Sequence, residues 1–94
     1  MDKLEFVLRN NKIKQVEILD KSWQLAIEQE QSGKKGGLFD RGILKQNLYK
    51  IVAGRCNPTI KTLQKIAICI NLILEDRGHD DITYTAGDLI GKVD

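Results

Sequence analysis

The chain has 94 residues with 41% hydrophobic and 30% charged residues, one Pro and few aromatics. That composition describes one small globular domain and excludes a disordered or fibrous chain. The formal net charge is only +2, but it is divided unevenly. From Lys34 to Lys65 eight basic residues face Asp40 alone, giving +7, whereas six acids and two bases from Glu75 to Asp94 give −4. A central electrostatic footprint and an acidic tail are therefore expected to do different work.

In chain order, the first element is open between two readings. Leu4, Phe6 and Leu8 alternate as in a half-buried strand over 3–9, while Leu4, Val7 and Leu8 also fit one helical stripe. Asn10-Asn11 makes a break. From Ile13 to about Gln31 an amphipathic helix is expected, with Val16, Leu19, Trp23, Ala26 and Ile27 inward, Trp23 as a core anchor and Gly33 closing the end. Ser32–Gly37 is a loop by composition, and Leu38–Arg41 has room only for a short helix before Gly42. A helix over Leu44–Ala53 follows, with Leu44, Leu48, Ile51 and Val52 on one side and Gly54 ending it.

Asn57-Pro58 reads as the start of the next helix, Asn as N-cap and Pro at the first helical position. Ile60, Leu63, Ile66, Ala67, Ile70 and Leu74 continue as its buried stripe, interrupted at Asn71. Gly78 turns the chain, Ile82–Thr85 has strand composition, and Thr85-x-x-Asp88 ahead of Leu89-Ile90 matches a capping box. The expected fold is mainly α: a compact bundle of about five helices with short terminal strands near 3–9 and 82–85 that pair with each other or across a dimer.

The chemistry available is narrow. Cys56, Cys69 and His79 do not provide a zinc-ligand spacing, so both cysteines are expected as free thiols and no metal site is expected. No nucleophile–base arrangement and no phosphate-cradling loop is visible, so neither catalysis nor a cofactor is expected. The N-terminus has no basic segment followed by an apolar core, and no apolar run approaches the roughly 20 residues a membrane span needs. A cytoplasmic location without membrane contact is the expectation.

The informative block runs from Gly42 to Leu63. A glycine turn leads into a ten-residue helix whose outer face offers Lys45, Gln46, Asn47, Tyr49 and Lys50. A second glycine, Arg55-Cys56, and Asn57-Pro58-Thr59-Ile60-Lys61-Thr62-Leu63 follow. Lys and Gln match acceptor and donor edges of guanine and adenine in a major groove, while Asn, Tyr and Arg can hold phosphates.

This block resembles the helix-turn-helix of the phage repressor and Cro (XRE-type) family, and its Asn-Leu-Tyr-Lys-Ile stretch resembles antidote proteins of bacterial toxin–antitoxin modules. The resemblance covers about Leu38 to Leu74, with residues 75–94 as an acidic tail. It implies a transcriptional regulator that binds double-stranded DNA as a homodimer, with Lys45, Gln46 and Lys50 reading bases. It places Asn47, Tyr49, Arg55 and Asn57 on phosphates, with Lys61 as a weaker candidate. The chain departs from the family pattern in two places. Lys34, Gly37 and Leu38 stand where a Gln-x-x-Leu-Ala helix is usual, and Leu44 replaces the usual Ser or Thr N-cap. The competing expectation is a protein-interaction module that masks a toxin. In it the tail, with Leu72–Leu74 and Leu89–Ile90, supplies a partner or dimer surface.

Overall fold

The computed structural model describes residues 2–33, 37–79 and 81–92. Among these the chain is mainly helical, with α1 (Lys3–Asn10), α2 (Gln15–Gln31), α3 (Lys45–Val52), α4 (Ile60–Asp76) and a short 3-10 turn at Ala86–Leu89. Four α-helices thus stand where about five were expected, and no strand occurs among the described residues.

At the N-terminus the helical reading prevails over the strand. Leu4, Val7 and Leu8 are buried on one stripe, Phe6 faces out, and Glu5 pairs with Arg9 one turn on. A strand would have sent Val7 to the side opposite Leu4 and Leu8. Residues 82–85 form no strand and join no ladder, although Thr85 itself has an extended backbone. The two ends do meet, through one antiparallel bridge between Asp2 and Lys92 and a bond from the Lys3 N–H to Gly91 O.

α4 is the centre of the core, burying Leu63, Ile66, Ala67, Cys69, Ile70, Ile73 and Leu74. Its start differs from expectation. Thr59, not Asn57, is the N-cap: its hydroxyl accepts the Thr62 N–H at 3.2 Å, which leaves Pro58 just outside the helix. Ile60, expected in the buried stripe, is therefore in the first exposed turn. Burial pushes the Cys69 thiol up to about 12, against the opposing charges of Lys21 and Lys65, so it stays neutral as a core side chain. Both cysteines are free.

Asn71 explains the break in the apolar run of α4. Its Oδ1 accepts the Tyr84 N–H at 2.8 Å and its Nδ2 donates to Tyr84 O at 2.9 Å, so it serves the extended tail as a neighbouring strand would. Asn11 Nδ2 donates to the Tyr84 hydroxyl, and Arg77 donates to the carbonyls of Asn11 and Lys12 and pairs with Glu17. The Thr85–Asp88 capping box forms as the spacing requires, and Leu89 is buried. The tail consequently lies against α1 and α4. Ile73, Leu74 and Leu89 are core residues, which removes most of the apolar surface the sequence suggested for a partner; Ile90 stays half-exposed.

α2 corrects the expected stripe most clearly. Ile18, Ser22 and Ala26 are its buried residues, while Val16, Trp23 and Ile27 are 54%, 43% and 53% exposed. The helix carries two apolar faces, and the one holding a serine is inward. The serine is there for the backbone of another segment. Ser22 Oγ accepts the buried Ile43 N–H at 2.9 Å and donates to Leu19 O.

Replacing Ser22 with Ala leaves the Ile43 N–H buried and unpaired, which costs about 1–3 kcal/mol. A chain of this size should then melt several degrees lower, at roughly 4–8 °C per kcal/mol. Thermal denaturation followed by circular dichroism checks this; an unchanged midpoint would show that the bond is dispensable.

Candidate nucleic-acid interface

The helix expected at Leu38–Arg41 is a series of turns. Two of its backbone polar groups are served by side chains from the flanking helices in place of helical bonds. Gln29 of α2 accepts the Phe39 N–H at 3.0 Å, and Lys65 of α4 donates to Arg41 O at 3.1 Å. Ile43 is held from both sides by adjacent residues of α2: its N–H by Ser22, and its C=O by Trp23 Nε1 at 3.2 Å. The indole lies so close over Gly42 that a Cβ there would come within 2.3 Å of the ring. Gly42 is thus required for close approach. Trp23 clamps the lead-in to α3 instead of anchoring the core.

α3 starts immediately after this clamp. Leu44 is its N-cap, with extended backbone, no side-chain cap bond and a half-exposed side chain, not the inward position expected. Leu48, Ile51 and Val52 are buried, and Gly54, at φ +74°, ends the helix in the left-handed conformation that glycine adopts without strain. With 100° per residue, burial of those three residues directs Gln46 and Lys50 straight outward. Lys45 and Tyr49 turn toward the N-terminal half of α2, and Asn47 lies on the opposite flank. All five are exposed.

Lys45, Gln46, Tyr49, Lys50 and Arg55 together line a groove whose floor is Gln15, Val16 and Leu19 of α2. The Arg55 guanidinium stands 5.9 Å from the centre of the Tyr49 ring, which holds it beside α3. Among the described residues Lys45, Lys50 and Arg55 make no ion pair. Asn47 does not line this groove. Asn57 lines a different one, beside Asp2 and Leu89.

The remaining basic residues of the +7 window divide differently. Lys61 and Lys65 each stand 3.7 Å from a carboxylate oxygen of Asp40. Lys65 is buried, a position unusual for lysine unless it is paired. Desolvation works to raise the Asp40 carboxyl, but Lys61, Lys65, and the backbone N–H and charge of Arg41 together hold the group below its ordinary range. Lys34 and Lys35 lie outside the described residues. Sequence reasoning missed this sorting, although Asp40 as the sole acid in the window was a signal. It also missed Val16 as part of a groove floor, because periodicity sends it inward; Leu19 lines the groove while packing against the core.

No helix among the described residues is long and apolar enough to cross a membrane, and no group of three or more His, Cys, Asp or Glu side chains is placed to hold a metal ion. No protein-family model, curated protein or solved structure matches the chain.

Because Asp40 titrates below its ordinary 3.8, its folded form binds protons less readily than the unfolded chain. Its contribution to stability is therefore present above that value and disappears as pH falls through the lower folded pKa. The Asp40→Asn variant should melt below the parent at pH 7, and the gap should close under strongly acidic conditions. Paired melting curves from about pH 7 to about pH 2, which bracket the ordinary carboxylate titration, test this; a gap independent of pH would remove the charge from the account.

Proposed function

We propose that the chain binds double-stranded DNA, with the outer face of α3 against the major groove, and acts as a repressor-like regulator. The observation that carries this reading is the sorting of charge. Lys61 and Lys65 share the carboxylate of Asp40, whereas Lys45, Lys50 and Arg55 surround one exposed helix face and pair with no carboxylate among the described residues. Phosphates supply the missing negative charge, and releasing their counterions provides most of the affinity at low salt.

The roles divide by direction on the helix. Gln46 and Lys50, which point straight out, are placed to meet base edges, Gln with adenine and Lys with guanine. Lys45 lies at the first turn, where it serves either a base edge or the phosphate beside it. Arg55 and Tyr49 sit at the rim and hold register on the backbone. Asn47 on the other flank would touch the opposite phosphate strand. Asn57 and Lys61 are displaced from this face and have lesser parts in it. Regulators that the sequence resembles work as homodimers, so a palindromic site with half-sites one helical turn, roughly 34 Å, apart is the corresponding target.

The geometry differs from a compact helix-turn-helix. That motif joins its two helices by about 3–4 residues. Here α2 ends at Gln31 and α3 starts at Lys45. The side-chain bonds at Phe39, Arg41 and Ile43 replace the missing helix as the support of α3. The reading of the tail as a toxin-binding surface is weaker, since Ile73, Leu74 and Leu89 are committed to the core.

Selection from a random duplex pool tests the proposal. The parent should enrich a palindromic consensus. Gln46→Ala and Lys50→Ala should each cost about 1–3 kcal/mol on that consensus and little on random duplex. Arg55→Ala should weaken all duplexes and lower the salt slope by about one. No duplex affinity at low salt would overturn the reading.

A further inference from the structure

Away from the outer face of α3, a cleft of about 430 Å³ lies where α1, α3, α4 and the 3-10 turn meet. Its floor is apolar: Leu4, Ile51, Leu63 and Leu89 each come from a different element, and all four are buried. Ile60 and Ile90, more than half exposed, form the rim. Small-molecule sites have this form, an apolar hollow of roughly 300–1,000 Å³ with a few polar groups that fix orientation. A cleft near the lower end of that range takes one small ligand.

The charged residues of the lining are Asp2 and Lys92, one of each sign. Their backbones face each other across the antiparallel bridge that joins the chain ends. Opposite charges placed across such a bridge ordinarily attract each other. Yet these two form no ion pair and no side-chain hydrogen bond among the described residues. Asp2 is also the N-cap of α1, where an aspartate ordinarily accepts an N–H of the first turn, and it makes no such bond. Its carboxylate lies instead against Gly54 at the end of α3, so close that a Cβ there would stand 2.8 Å from Oδ2. The bare backbone of Gly54 thus leaves room for the carboxylate in the cleft wall.

We infer that the cleft binds a free α-amino acid with a branched or aromatic apolar side chain. The ligand's ammonium meets the Asp2 carboxylate, its carboxylate meets the Lys92 ammonium, and its side chain covers the apolar floor. An α-amino acid carries both charges on one carbon, so a single small molecule bridges the two residues. An alkyl amine lacks the carboxylate and a fatty acid lacks the ammonium. Either would leave one of the two charges beside an apolar ligand without a counter-ion, which disfavours binding. The inference stands on the cleft alone and not on duplex binding, since neither Asp2 nor Lys92 belongs to the α3 face.

The test uses the full chain without DNA, with L-leucine and L-phenylalanine as probes. Either should shift the methyl signals of Leu4, Ile51, Leu63 and Leu89 saturably, in the micromolar to millimolar range. It should also slow alkylation of Cys56, the exposed thiol in the lining. Asp2→Asn should weaken binding about tenfold, the equivalent of ~1.4 kcal/mol. Lys92→Met should weaken it less, about threefold, because an exposed ammonium is screened by water. Circular dichroism confirms that each variant folds. N-acetyl-leucine, which has no ammonium, should bind the parent as weakly as leucine binds Asp2→Asn, and should lose nothing further in that variant. Leucine amide, which has no carboxylate, should behave in the same way toward Lys92→Met. No saturable shift from either amino acid overturns the inference. So does binding indifferent to both substitutions, or analogues that bind the parent as tightly as leucine. Leucine binding by a protein that selects no duplex supports this site and overturns the regulator reading alone, whereas duplex selection without leucine binding does the reverse.

Discussion

Ile43 is where the structure of this protein is decided. It lies in an irregular stretch between α2 and α3, and both of its backbone polar groups are engaged by side chains of α2. Ser22 takes its N–H and Trp23 takes the use of its C=O. An unpaired buried amide is costly, so these two adjacent side chains fix where the chain can enter α3. Gly42 follows from the same constraint, because the indole occupies the space a side chain would need. The eight-residue α3 is too short to be stable alone. Its position is inherited from this clamp and from burial of Leu48, Ile51 and Val52.

Charge is distributed on top of that frame by a second, weaker rule. The segment that lacks a helix brings Asp40 beside Lys61 and Lys65, and Lys65 in turn reaches back to Arg41 O. Two of the basic residues in the central window thus hold the loop to α4. Those on α3 and just after it have no such task, and they share one groove with Tyr49. The acidic tail does not extend as a free arm. Asn71, Asn11 and Arg77 tie its path to α4 and to the α1–α2 junction. The end of the tail, Leu89–Lys92, lines a groove with Gly54, Cys56 and Asn57, and no ion pair joins it to Lys45, Lys50 or Arg55 among the described residues.

What the sequence revealed and what it concealed have separate physical causes. Periodicity located α4 and α3 because each has a single apolar face: Leu63 through Leu74 in one, Leu48, Ile51 and Val52 in the other. The Thr85–Asp88 box was legible because it is a local bond between residues three apart. α2 misled because it has two apolar faces and its inward one includes Ser22, whose role depends on a residue 21 positions away. Asn57 looked like a cap because it precedes Pro58, yet Thr59 offers a hydroxyl nearer the first free amides of α4. Of the candidate site, Lys45, Gln46, Tyr49, Lys50 and Arg55 come together as the pattern suggested. Asn47, Asn57 and Lys61 lie elsewhere, since facing direction and ion pairing are tertiary facts that spacing cannot carry.

The central claim is that the α2 clamp presents the Lys45–Arg55 face, and no other, to a duplex. Amide chemical-shift mapping during titration with duplex DNA at low salt tests it most directly. The account predicts changes concentrated at Lys45, Gln46, Tyr49, Lys50 and Arg55, fading as salt is raised, with the Ile43 amide still protected from exchange. Changes centred on the 84–92 tail or on the Asn57 groove, or no change at any salt concentration, would contradict it.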